Sequence, residues 1–157
     1  MTASQTNGTQ VTSLYSQDFC LWAEQTAQLL QSRRYSEIDL ENLIDEVEDM
    51  SRSEKRALLS NVRVVLMHLL KCQYQPEKRS NSWLSSIREH RTRLQDTFRD
   101  SPSLRSYFQE MFDECYQNAR KQAADETALP LDIFPSESPF TLNECLDEDF
   151  LPETLGS

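Results

Sequence analysis

The chain has two glycines, Gly8 and Gly156, and both lie near its ends. From Thr9 to Leu155 no residue enters left-handed backbone space at low steric cost. Glycine-dependent two-residue hairpins are therefore missing, and a sheet-rich fold loses its simplest turns. The same absence removes phosphate-cradling loops, dinucleotide fingerprints and nucleophile elbows, which all need glycine at fixed offsets. What remains is an all-α fold whose chemistry, if any, comes from side chains.

A length of 157 residues suits one domain with a real core, and 38% hydrophobic with 27% charged residues suits a globular one. The expected organisation is a single helical domain over residues 14–152, including a proline-rich arm over 128–152. Tails at 1–13 and 153–157 flank it. The longest apolar run, Val64 to Met67, falls far short of the ~20 residues of a membrane span, so no membrane association is expected. Met1 to Ser16 has no basic leader or apolar segment, which makes the cytoplasm the expected location. Cys20, Cys72, Cys115 and Cys145 are far apart and form no C-x-x-C pair, as expected of reduced thiols.

Apolar periodicity near 100° per residue predicts five main helices. The first carries Phe19, Trp22, Ala23, Thr26, Leu29 and Leu30 on one face. Asp39 is the expected N-cap of a short second helix that aligns Leu40, Leu43, Ile44, Val47 and Met50, with Glu41, Asp45, Glu48 and Asp49 facing out. Ser51 with Glu54 reads as a capping box that starts a third helix. That helix is the hydrophobic centre, with Leu58, Leu59, Val62, Val65, Leu66, Leu69 and Cys72 on one face, and it ends before Pro76. Asn81 or Ser82 is the expected cap of a fourth helix bearing Trp83, Ile87, His90, Leu94, Thr97 and Phe98. Ser101-Pro102 predicts the start of a fifth, running to about Thr127. Four later prolines break the pattern, yet Phe134, Phe140 and Phe150 are too apolar for a free tail. The expected result is an ordered arm packed on the bundle, with Thr141-x-x-Glu144 opening one short helix.

The net charge of −10 is unevenly placed. Glu37 to Asp49 carries only acids, whereas Arg52 to Arg93 holds ten Lys/Arg against Glu54, Glu77 and Glu89. The stretch Lys71, Lys78, Arg79, Trp83, Arg88 and Arg91 mixes cations with an aromatic, a pattern able to contact phosphates. Those five cations are the nucleic-acid-binding candidates, although internal pairing with the acidic segments explains them more simply. His68 and Cys72 lie one helical turn apart and could share a metal ion. Two ligands make no site, and no metal or cofactor is expected. Arg63 and His68 fit R-x4-H, a spacing used by the HEPN-type helical ribonucleases, and are the catalytic candidates. On an unbroken helix, however, five positions rotate the two side chains roughly 140° apart. No Glu-x-x-His occurs, which argues against a di-iron carboxylate bundle.

Several phrases occur together in order: Asp18-Phe19, Leu21-Trp22, Asp39-Leu40-Glu41-Asn42-Leu43-Ile44, Ser53-Glu54-Lys55-Arg56 and Leu66-Met67-His68-Leu69-Leu70-Lys71. Tyr74-Gln75-Pro76-Glu77, Ser82-Trp83, Ile87-Arg88, Asp100-Ser101-Pro102-Ser103-Leu104 and Phe150-Leu151-Pro152 follow. From about Leu14 to Pro152 this order resembles the bacterial domain of unknown function 29 family, small helical proteins especially numerous in cyanobacteria. Cys72 stands where the family phrase has a bulky aromatic. The resemblance implies a fold and a source group and carries no activity, substrate or catalytic residue. The favoured expectation is therefore a non-enzymatic interaction or regulatory module with a protein partner. The alternatives are a HEPN-like ribonuclease and a nucleic-acid-binding protein. A homodimer is compatible with the pattern, which shows no surplus apolar face that demands a partner.

Overall fold

The structure is a computed structural model that describes residues 13–153, so the expected tails at 1–13 and 153–157 fall largely outside it. Among the described residues all regular structure is helical: α1 (Leu14–Gln17), α2 (Phe19–Gln31), α3 (Leu40–Tyr74), α4 (Asn81–Asp100), α5 (Leu104–Thr127) and α6 (Leu142–Leu146). The chain divides into two compact units, Met1–Met50 and Ser51–Ser157. Helix α3 gives its first turns, Leu40 to Met50, to the former unit and the rest to the latter.

In the first unit Asp18 caps α2 by accepting from the Leu21 N–H at 3.0 Å. The Tyr15 and Trp22 rings meet edge-on at 4.8 Å, and Trp22 and Thr26 are buried. The Tyr15 hydroxyl donates to Glu46 on α3. Asp39 starts α3 as expected: its carbonyl accepts from Leu43 N at 3.1 Å and its carboxylate from Asn42 Nδ2 at 2.7 Å.

Two expectations for this region are corrected. Ser51 starts no new helix, because α3 runs through it without interruption. A capping-box pattern ends a helix only where some residue leaves helical space, and the Met50-Ser51-Arg52 segment has neither proline nor glycine to force that. Nor is the 40–50 stripe core. Leu40, Ile44, Val47 and Met50 are 60%, 48%, 55% and 66% exposed, so a surplus apolar face does exist.

The second unit is a helical bundle with a dense core. Leu58, Val62, Val65, Leu66 and Leu69 of α3 are fully buried, together with Leu94 of α4 and Tyr116, Ala119 and Ala123 of α5. Helix α4 is capped by Ser80, one residue before the expected Asn81 or Ser82, through a Trp83 N–H bond of 3.3 Å. Ser101-Pro102 forms a turn rather than the cap itself. The carbonyls of Ser101 and Pro102 accept from Leu104 and Arg105, and α5 starts two residues late. Thr127 ends α5 as expected.

The arm is ordered, with Phe134, Phe140 and Cys145 buried and the Thr141–Glu144 capping box formed. Irregular backbone leaves carbonyls without helical partners, and each buried one needs a donor. Side chains of α4 and α5 supply them. Arg91, 1% exposed, donates from Nε to Cys145 O at 3.0 Å, from Nη1 to Phe150 O at 2.8 Å and from Nη2 to Glu144 O at 2.9 Å. Arg120 donates to Phe134 O, Gln117 to Ser136 O and Tyr116 to Pro135 O. Before α4, Arg79 reaches Pro152 O at 3.0 Å.

Arg91→Met should leave three carbonyls unpaired and cost about 3 kcal/mol or more in urea unfolding. Limited proteolysis should then cut first within residues 128–152. A second expectation follows from backbone strain: Ala128 ends α5 at φ 58°, where a Cβ costs about 1–2 kcal/mol. Ala128→Gly should raise stability by about 0.5–1 kcal/mol, the gain reduced by glycine's greater unfolded-state entropy.

Candidate functional site

Helix α3 places Arg63 and His68 in different surroundings. The His68 ring lies 6.5 Å from the Trp83 ring of α4, and its Nδ1 is buried with no hydrogen-bond partner. One turn on, the mostly buried Lys71 ammonium bonds Glu126 of α5 at 2.8 Å and sits 4.4 Å over the Trp83 ring. Burial first, and then the Lys71 charge, pull the His68 imidazole down to about 4. The Glu126 carboxyl is pushed up by burial, but the hydrogen bond and charge of Lys71 outweigh this and hold it below its ordinary range. Near neutral pH the group is thus a neutral imidazole beside a closed Lys–Glu–Trp contact. An imidazole with so low a pKa is a weak general base.

Arg63 instead lines a cleft between α3 and α5, together with Arg56, Leu59, Ser60, Glu114, Cys115 and Asn118. The catalytic candidates Arg63 and His68 are therefore not brought together within this chain. Cys72, the metal candidate beside His68, is fully buried, and burial raises its thiol above the ordinary value. Among the described residues no group of three or more His, Cys, Asp or Glu is arranged to hold a metal ion.

The five nucleic-acid candidates separate into two sets. Lys71, Arg79 and Arg91 are engaged internally, with Glu126 and Trp83, with Pro152 and Cys72, and with three arm carbonyls. Lys78 and Arg88 are exposed. His90, placed by its periodicity on the apolar stripe of the fourth helix, is half-buried, its Nδ1 at 2.8 Å from Ser86 O. Sequence reasoning missed the arm-clamping role of Arg79, Arg91 and Arg120. The separations reach 73 residues for Arg79 to Pro152, and no local pattern signals such a bond. It also missed the cleft at Arg63, although Arg56, Ser60 and Arg63 at i, i+4 and i+7 share one helix face and could have pointed to it.

These features define an all-helical protein in which two cations of the middle segment, Arg79 and Arg91, hold the molecule's own arm. The chain belongs to the family of the domain of unknown function DUF29, which matches residues 14–151. No curated protein and no solved structure matches it. No helix among the described residues is long and apolar enough to cross a membrane.

His68 makes a pH prediction. The unfolded chain binds a proton near pH 6.5, whereas the folded imidazole refuses it down to about 4. Stability should therefore be fully present above about pH 6.5 and fall as pH drops through that window. The contribution is on the order of 2 kcal/mol. Urea unfolding at several pH values should show a shallower acid slope for His68→Gln than for the parent; equal slopes would refute the assignment.

Proposed function

We propose that this protein is a non-enzymatic interaction module, and that the first turns of α3 are its docking surface. The observation that carries this reading is the exposed row Leu40, Ile44, Val47 and Met50 in the Met1–Met50 unit. At 100° per residue these four fall within roughly 120° of one face and span about 15 Å of helix. An amphipathic helix of a partner, with apolar residues at i, i+3/i+4 and i+7, fits such a row.

Charge selects the occupant. Glu41 and Asp45 border the row on one side, and residues 1–50 hold nine acids against Arg33 and Arg34. A second copy laid antiparallel on the row would bring Glu41 and Asp45 of both helices to the same side, which like-charge repulsion opposes. A helix with Lys or Arg beside its apolar row would instead gain from the same acids and be steered toward them. The occupant proposed is therefore a basic amphipathic helix of another protein. Engagement of Lys71, Arg79 and Arg91 inside the molecule favours this reading over nucleic-acid binding, and the separate surroundings of Arg63 and His68 favour it over a ribonuclease.

Two synthetic peptides with one apolar spacing, flanked by Lys/Arg or by Glu, test the proposal by fluorescence anisotropy. The basic peptide should bind, more weakly as salt rises, and the acidic one should not. Ile44→Gln/Val47→Gln should weaken binding at least tenfold while the helical circular dichroism stays unchanged. Equal binding by that double variant would reduce the effect to net charge and overturn the proposal. A parent dimer in sedimentation that the double variant dissolves would overturn it in favour of a second copy.

A further inference from the structure

We propose that the cleft between α3 and α5 around Arg63 binds a small phosphate-bearing molecule. Three observations converge there, independently of the docking surface. The first is an unanswered cation. Arg63 is half-buried, its Nε is buried without a hydrogen-bond partner, and no carboxylate among the described residues is within ion-pair distance. With no carboxylate to neutralise it, the Arg63 charge is available to an anion that enters the cleft it lines.

The second observation is room with suitable walls. The cleft has a volume of about 220 Å³, several times that of a water molecule, enough for a phosphate group with a few carbon atoms. Arg56, Ser60 and Arg63 follow one another along one face of α3, and Asn118 of α5 also lines the space. Two guanidinium forks match phosphate oxygens in bidentate fashion, and a hydroxyl and an amide N–H can donate to the remaining oxygens.

The third is the sign of the field. The ionised groups lining the cleft are two arginines and one carboxylate, Glu114, which leaves a net positive site in a strongly acidic protein. The thiol of Cys115 adds no negative charge near neutral pH. Burial pushes it up to about 11, and it donates to Leu59 O at 3.8 Å. The wall beside Leu59 and Cys115 is apolar, so the ligand would present phosphate to the arginines and carbon to this wall.

Glu114 provides the discriminating test, because it is the one carboxylate lining the cleft and its charge competes with a bound anion for the arginines. Backbone amide shifts of the full chain are followed during titration with inorganic phosphate and, separately, with glycerol phosphate, at matched ionic strength in chloride. The expected result is a saturable response confined to residues 56–63 and 114–118, with glycerol phosphate binding at least as tightly as phosphate. Arg63→Gln should weaken both at least tenfold, with Arg63→Lys intermediate because it keeps the charge and loses the fork. Glu114→Gln should tighten both severalfold without loss of thermal midpoint. Four outcomes would overturn the proposal: no saturable response at millimolar concentration, a response unchanged in Arg63→Gln, inorganic phosphate bound while glycerol phosphate is refused, or a Glu114→Gln protein that is destabilised and binds no better.

Discussion

The bundle of residues 51–157 depends on one buried cation. The Arg91 guanidinium is almost fully enclosed and hydrogen-bonds three backbone carbonyls of the arm without a carboxylate in direct contact. Burial lowers its proton affinity below the ordinary value; Asp147 and Glu148 are among the charges that oppose this shift. The arrangement suits the arm, whose short helices leave several carbonyls with no partner of their own. A guanidinium presents five N–H donors in a fixed plane, so one residue can satisfy carbonyls from separate stretches of chain. Lysine could not replace it, since a point charge on a flexible stem has neither the span nor the plane. Arg79, Arg120, Gln117 and Tyr116 repeat the principle along the arm with one donor group each.

This explains what became of the basic middle segment. Ten cations between Arg52 and Arg93 in an acidic chain suggest either a binding surface or internal pairing with acids. Internal use prevails for the buried ones, but the acceptors of Arg79 and Arg91 are main-chain carbonyls; Lys71 alone among these three finds a carboxylate, on Glu126. Composition cannot distinguish the two kinds of acceptor. Carbonyls are present at every residue and leave no trace in the sequence. The punctuation of helices was more legible, because a cap acts within three or four residues of itself. Asp39, Pro76, Thr127 and the Thr141–Glu144 box stand where local chemistry puts them. Ser51 shows the limit: a local pattern that permits a helix start is overridden when propagation through it costs little.

The scarcity of glycine carries a cost at two places. Left-handed backbone is still needed where α2 and α5 end, and Arg33 and Ala128 adopt it, at φ 57° and 58°. After α2 the turn closes with Arg33 N to Leu30 O and Arg34 N to Leu29 O, the pairing that commonly accompanies a left-handed residue. The chain therefore does not avoid such turns; it makes them with residues that strain in them. A missing glycine predicts where strain is stored more reliably than it predicts the absence of a turn.

A stripe of apolar residues reports that one helix face avoids water, and says nothing of what covers it. For Leu58, Val62, Val65 and Leu69 the cover is within the 51–157 unit; for Leu40, Ile44, Val47 and Met50 the described chain provides little. Magnitudes indicate what kind of cover the latter row could hold. Full burial of such a side chain contributes about 1.5–3 kcal/mol, so four already half-covered ones could add on the order of 4 kcal/mol together. Association costs at least about as much in lost translational and rotational freedom. The row alone therefore cannot hold a long-lived complex, and the surplus must come from charge beside it, with Glu41 and Asp45 meeting cations across a partly desolvated edge. A surface of that balance would bind and release, its affinity tuned by ionic strength and by the partner's charge. Those would be the properties of the contact proposed above, a regulatory one rather than a permanent subunit interface.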